Sequence, residues 1–251
     1  MAESMVRWIL AFAVVAFPGV CLAQVNVEPL RARLDDAGFA SQFDGSLSTK
    51  GGNKQKLAFG GDALVGAKSG LHLAYVNVAA DYERQNRVIQ EEDAFGHARY
   101  NLQLGSWFWW ELFGQMEMDR FRRIVRRDLV GTGPRVGRSG EVLSIYYGTS
   151  YMPEWTLTED DSARRLVHRW NNYTSLMIRA APMTVSTTVY LQPRFDAFRD
   201  YHLLVVQTLG FKITKVLSSN LTGEIRYESE PPAEDVEPLD YAVTNALRVR
   251  F

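Results

Sequence analysis

From Phe39 onward, apolar and polar residues alternate with a period of two. That spacing gives a β-strand one apolar and one polar face. Phe39, Phe43 and Leu47 share a face against Gln42, Asp44, Ser46 and Ser48. Leu57, Phe59, Ala63 and Val65 oppose Lys56 and Asp62, and Ala98, Tyr100 and Leu102 oppose His97, Arg99, Asn101 and Gln103. Phe108, Trp110, Leu112, Met116 and Met118 oppose Glu111, Gln115, Glu117 and Asp119. The pattern returns over 185–192, 217–227 and 241–251, with less regular runs near 70–82, 128–137, 141–152, 166–178 and 200–213. It predicts about twelve strands, each near the ~9–11 residues that a tilted strand needs to cross a bilayer.

The links between these runs differ on the two sides. Short turns are expected at 66–70, 105–106, 137–140, 180–182 and 214–215, and longer charged links at 83–93, 122–127, 153–165, 193–200 and 228–239. The first link, around Lys50-Gly-Gly-Asn-Lys54, is short. Short turns on one side and long loops on the other describe an all-β, antiparallel, up-and-down transmembrane barrel. Lipid offers no hydrogen bonds, so an open sheet edge inside it costs several kcal/mol per unpaired group, and closure removes the edges. Aromatics gather at both strand ends, as interfacial girdles do: Tyr82, Phe121, Tyr151, Trp155, Tyr201, Tyr227 and Tyr241 by the long loops, Phe39, Trp107 to Trp110, Phe211 and Phe251 by the short turns. A soluble barrel or sandwich with its apolar face inward has the same alternation. It does not explain the loop asymmetry or the aromatic last residue.

The start of the chain follows a different pattern. Arg7 precedes an apolar stretch from Trp8 to Phe17, then Pro18-Gly19, and Cys21-Leu22-Ala23 puts small residues where a signal peptidase reads. The expected organisation is a signal peptide over 1–23, a periplasmic segment with a short helix over 24–38, and an outer-membrane barrel over 39–251. Cys21 is the single cysteine, so the mature protein has no disulfide or thiolate site. The formal net charge of −1 argues against a nucleic-acid partner.

The closing run, Asn245-Ala-Leu-Arg-Val-Arg-Phe251, ends on a bare aromatic. Phe251, with Val249, Leu247, Val243 and Tyr241 on the same face, resembles the C-terminal signal that the bacterial barrel-assembly machinery reads during insertion. Asn245 departs from it. The final strand is then expected to pair with the first.

Four stretches carry a wider resemblance: GFASQFDGSLSTKGGNKQKLAFGGDAL, HRWNNYTSLMIR, VYLQPRFDAFRDYHLL and DYAVTNALRVRF. Together they resemble a bacterial family known as domain of unknown function 481, whose members are similar to the YdiY-type salt-induced outer membrane protein. The matching blocks run through roughly Val25 to Phe251. The resemblance implies a Gram-negative outer-membrane barrel in contact with lipid and lipopolysaccharide, and it implies no reaction.

Chemistry has few candidates. His72, His97, His168 and His202 are scattered without metal spacing, so neither a metal nor a cofactor is expected. His168 is the best local candidate for a membrane-embedded lipid hydrolase. Outer-membrane phospholipase pairs its His with a Ser two residues later, and Trp170 stands there instead. By parity Asp44, Asp62, Arg99, Glu111, Glu117, Asp119, Lys212, Glu224, Arg226, Arg248 and Arg250 mostly point into the lumen. They form either an ion-pair filling or the wall of a narrow, porin-like channel. The stretch Asp119 to Asp128 holds five arginines, of which Arg122, Arg123, Arg126 and Arg127 are candidate anion contacts for lipopolysaccharide phosphates. The primary expectation is a non-enzymatic envelope component or small channel.

Overall fold

Twelve strands follow one another around a single antiparallel sheet, each hydrogen-bonded to its sequence neighbours. The computed structural model describes Leu34 and residues 38–53, 55–214 and 216–249. The leader, its cleavage site and nearly all of segment 24–38 lie outside the described residues, as do Arg250 and Phe251. In chain order the strands are β1 (Phe39–Lys50), β2 (Lys56–Ser69), β3 (His72–Gln85), β4 (Val88–Gln103), β5 (Phe108–Asp119), β6 (Ile124–Ser139), β7 (Leu143–Thr158), β8 (Arg165–Ala180), β9 (Met183–Pro193), β10 (Tyr201–Lys212), β11 (Leu217–Glu228) and β12 (Leu239–Val249).

Outward side chains are those that the alternation assigns to hydrocarbon. On β5, Trp110, Leu112, Met116 and Met118 are exposed while Glu111, Gln115 and Glu117 are buried. Tyr241, Val243 and Leu247 on β12 are exposed as well. Near the long-loop end the outer wall carries aromatic groups: Phe59 stacks on Tyr82, Tyr201 meets Tyr227, and Tyr151, His168, Trp170 and Phe195 form one patch. Rings with one polar edge suit a membrane–water boundary.

The strands run further into the expected loops than the alternation suggests. The link expected over 83–93 is a tight turn at Asn86-Arg87, with φ of 48° and 69°. Two successive positive φ values fit a type I′ turn, whose twist matches the strands it joins. Likewise the arginine-rich stretch reduces to a turn over 120–123, and β6 begins at Ile124. The loop asymmetry therefore rests on the later links, 159–164, 194–200 and 229–238, against 70–71, 104–107, 140–142, 181–182 and 213–216 on the other side.

The sheet curls far enough for strands six apart to touch. Arg122, in the turn after β5, reaches Glu228 at the end of β11 across the interior. Among the described residues, however, no ladder joins β12 to β1, in contrast to the expected pairing. The inner positions of β1 include Ala40, Ser46 and Ser48, short side chains that add little cross-strand contact at the seam.

The interior is less uniformly polar than expected. Tyr173, Tyr190, Leu204 and Val206 form one buried apolar island, and Phe113, Leu129 and Met152 another. A third surrounds Leu34, which is fully buried against Ala40, Leu64 and Tyr75 on the inner wall of β1–β3.

Candidate functional site: the lumen

Parity sends the polar half of each strand inward, and a bilayer-facing wall leaves those side chains no other partners. The lumen therefore arranges its charges in tiers along the barrel axis.

The tier at the long-loop end is a continuous ion-pair belt. Arg122 Nη1 donates to Glu117 Oε1 at 2.9 Å, and its other terminal nitrogen donates to Glu228. Arg127 lies 3.2 Å from the same Glu228 oxygen, 3.5 Å from Glu117 and 3.9 Å from Glu154. Glu154 also meets Arg169 Nε at 3.3 Å, and Arg169 Nη1 donates to Asp200 Oδ1 at 3.0 Å. Arg194, in the 194–200 link, closes the chain by donating to Asp200 Oδ2 at 3.0 Å. Four guanidiniums (Arg122, Arg127, Arg169, Arg194) thus meet four carboxylates (Glu117, Glu154, Asp200, Glu228). Buried charges persist when they are paired, and equal numbers balance this belt. Little space remains: the hollow beside Glu117, Arg127 and His202 holds about 30 Å³. On the outer rim Arg194 also forks onto Asp196, and those hydrogen bonds hold the Asp196 carboxyl below the usual range.

A second tier lies below it. Arg99 is 3.5 Å from Glu111 and packs over the Phe113 ring at 4.8 Å. Tyr173 donates its hydroxyl to Glu111 Oε2 at 2.6 Å and accepts from Arg135 Nη1 at 3.1 Å. The Tyr173 ring rests over Gly148 of the neighbouring strand, where a Cβ would overlap it.

At the short-turn end the lumen opens. A hollow of about 340 Å³ lies among β2–β8, and a second of about 350 Å³ among β8–β11. Met177 lines both. Among the described residues, the interior is packed at the long-loop end and hollow at the other.

Most residues singled out in the sequence have a place, while Arg250 and Phe251 lie outside the described residues. Asp62 accepts from Asn77 at 2.7 Å, and Asp119 caps the backbone N–H of Arg122 at 3.0 Å. Glu224 pairs with Arg226 on β11 at 3.2 Å. Lys212 is exposed beside the second hollow. Asp44 lies opposite Asp62 and Arg248 opposite Ser218 in the ladders. The arginine stretch divides: Arg122 and Arg127 turn inward, Arg123 pairs outside with Asp160 and Asp235 at 2.9 Å each, and Arg126 pairs with Asp128 at 2.8 Å. His168 stacks on Tyr151 and hydrogen-bonds to its hydroxyl at 2.6 Å on the outer wall, and Trp170 donates to Thr149 at 2.7 Å. The sequence alone does not single out Glu154, Arg169, Asp200 or Glu228. Parity along His168-Arg-Trp-Asn-Asn172 does place Arg169 and Asn171 on one face, and both are buried.

A family model described as "Protein of unknown function, DUF481" matches residues 44–251. The chain belongs to this family. Among solved structures, one of the NanC porin in a rhombohedral crystal form is similar at 13% identity, covering 84% of this chain and 99% of that one, with a TM-score of 0.48. No curated protein sequence matches the chain.

Proposed function

We propose that this DUF481 barrel is a non-enzymatic component of the Gram-negative outer membrane that does not conduct as an open pore. The observation that supports this is the belt from Arg122 to Arg194, whose side chains meet across the lumen from five strands and the 194–200 link. A conducting channel keeps its wall charges hydrated and apart. Here they neutralise one another and fill the bore. The short turns then face the periplasm, and the long links face lipopolysaccharide. The closing strand is the segment that the barrel-assembly machinery reads. A non-enzymatic role fits the outward histidine, since His168 is engaged by Tyr151 and no serine stands two residues on.

Planar-bilayer recording of the purified protein tests the reading. Wild type is expected to show no steady open-channel current at moderate voltage. A stable ohmic conductance from wild type overturns it and restores the narrow-channel alternative.

A further inference from the structure

The hollow of about 350 Å³ among β8–β11 is walled by short polar side chains, and the ladder register sets them in two rows. In the deeper row Ser186 stands between Met177 on β8 and Thr208 on β10, and Thr208 faces Thr222 on β11. In the row nearer the short turns Thr184 faces Gly210, which faces Asn220. The Asn220 carboxamide leans over the bare Gly210 backbone: a Cβ there would come 3.1 Å from Asn220 Oδ1. Short side chains in both rows leave the space that long, paired side chains fill at the other end of the barrel. Ser186 is only 3% exposed and lines the hollow, and its hydroxyl has no hydrogen-bond partner among the described residues. Burying a hydroxyl without a partner is unfavourable. The bond it lacks can be made by a molecule seated in the hollow.

The chemistry of the wall narrows what that molecule is. A hydroxyl both donates and accepts, and so does a carboxamide. Thr184, Ser186, Thr208 and Asn220 therefore offer donors and acceptors side by side. Thr208 is linked to Thr222 at 3.2 Å, which orients its hydroxyl and leaves it a further lone pair. An anion calls for donors alone, whereas a polyol calls for both on adjacent atoms. Met177, Pro182 and Leu217 add apolar surface to the same hollow. A sugar ring has the same division, with C–H groups on its faces and hydroxyls around its edge. Lys212 lines the rim, where it is exposed. The volume is at the small end of the range for ligand sites.

We propose that the hollow among β8–β11 is a binding site for a neutral polyhydroxylated solute, a sugar of one ring, entering from the short-turn side with the Ser186 hydroxyl as a deep polar contact. The inference goes beyond the closed-lumen reading and does not require it.

Isothermal titration of the full barrel, folded in a detergent without a sugar headgroup, tests it with three probes: glucose, glucuronate and cyclohexanol. Saturable binding of glucose is expected, and it should not change between low and physiological ionic strength, because the ligand is uncharged. Cyclohexanol keeps a six-membered ring and one hydroxyl, and should bind roughly tenfold weaker or worse. Ser186→Ala is expected to weaken glucose about fivefold, the loss typical of one neutral hydrogen bond. The same change should leave the urea midpoint in place or raise it, since the hydroxyl it removes has no partner in the wall. A serine that served only the fold would lower the midpoint and leave binding alone. Gly210→Leu puts a side chain into the hollow and should abolish binding in a barrel shown to be folded by its circular dichroism. No saturable binding of glucose, equal binding of cyclohexanol, tighter binding of glucuronate that weakens with salt, or an affinity unmoved in either variant overturns the proposal. None of these results bears on conductance, so the closed-lumen reading stands or falls separately.

Discussion

Arg122 and Glu228 are 106 residues apart in the chain and meet inside the barrel. One comes from the turn after β5, the other from the end of β11, and both are buried. Glu228 also receives Arg127, so one carboxylate holds two guanidiniums. Removing it leaves both cations short of a partner in a desolvated site. Glu228→Ala is expected to destabilise the barrel by about 3–5 kcal/mol, the cost of breaking one side of a buried pair. Arg122→Ala with Glu228→Ala should cost less than the two single changes summed, because Glu117 keeps Arg127 at 3.5 Å. Urea unfolding midpoints in detergent, measured around this double-mutant cycle, check it. Strict additivity would remove the coupling.

On the proposed reading, the same belt blocks the bore. Truncating Arg122, Arg127 and Glu228 together to alanine removes two cations and one anion from the tightest level, beside a hollow of only about 30 Å³. Single-channel events absent from wild type are expected to appear in this triple variant. Its Arg123→Ala counterpart, altered only at an outer-rim pair with Asp160 and Asp235, should stay silent. A silent triple variant that is shown to be folded places the obstruction elsewhere.

Leu112 tests the outward face. It is exposed at mid-strand on β5, opposite Tyr100 and Thr132 in its two ladders. In hydrocarbon, Leu112→Arg costs about 2–4 kcal/mol. In water the same exposed site would accept arginine within about half a kcal/mol. Folding yield into phospholipid vesicles, compared with yield in short-chain detergent, distinguishes the two. Equal yields in both would mean that this wall does not face lipid.

How far the sequence foretells this molecule depends on whether a strand has one apolar face or two. On β5 the alternation Leu112, Met116, Met118 against Glu111, Gln115, Glu117 is unbroken, and the orientation follows directly. On β10 the run Leu203-Leu-Val-Val206 is apolar throughout, and parity cannot reveal that Leu204 and Val206 turn inward onto Tyr173 and Tyr190. Glu228 has a different obstacle. It ends β11 where charge density rises, so it reads as the start of a loop, and its partners lie a hundred residues earlier. Pairings across a lumen depend on the curvature of the whole sheet, which no local window contains. The arginine stretch shows the same limit: five neighbouring cations look like one patch, yet the turn at 120–123 sends Arg122 inside and Arg123 outside.

The turn at Asn86-Arg87 offers a gain in stability. Both residues have positive φ, 48° and 69°. Asn86 tolerates this conformation and accepts the Gln55 backbone N–H at 3.1 Å. Arg87 carries a Cβ that crowds its own backbone there, a cost of roughly 1–2 kcal/mol that glycine avoids. The flexibility of glycine in the unfolded chain offsets part of that gain. Arg87→Gly is therefore expected to stabilise the barrel by up to about 1 kcal/mol, read as a raised urea midpoint with unchanged slope.

Gly148 makes the opposite case. Its inner surface is covered by the Tyr173 ring from the adjacent strand, and that tyrosine bridges Glu111 and Arg135 in the second tier. A methyl group has no room unless the ring moves. Moving the ring lengthens the 2.6 Å bond to Glu111 and loosens Arg135, which lies 3.7 Å from the same carboxylate. Gly148→Ala is expected to cost about 1–3 kcal/mol through overpacking. Adding Tyr173→Phe should then cost little more, since the displaced hydroxyl has already lost its partners. In the Gly148→Ala background, a Tyr173→Phe penalty as large as in wild type would mean that the ring accommodates the methyl group and the second tier is softer than its contacts imply.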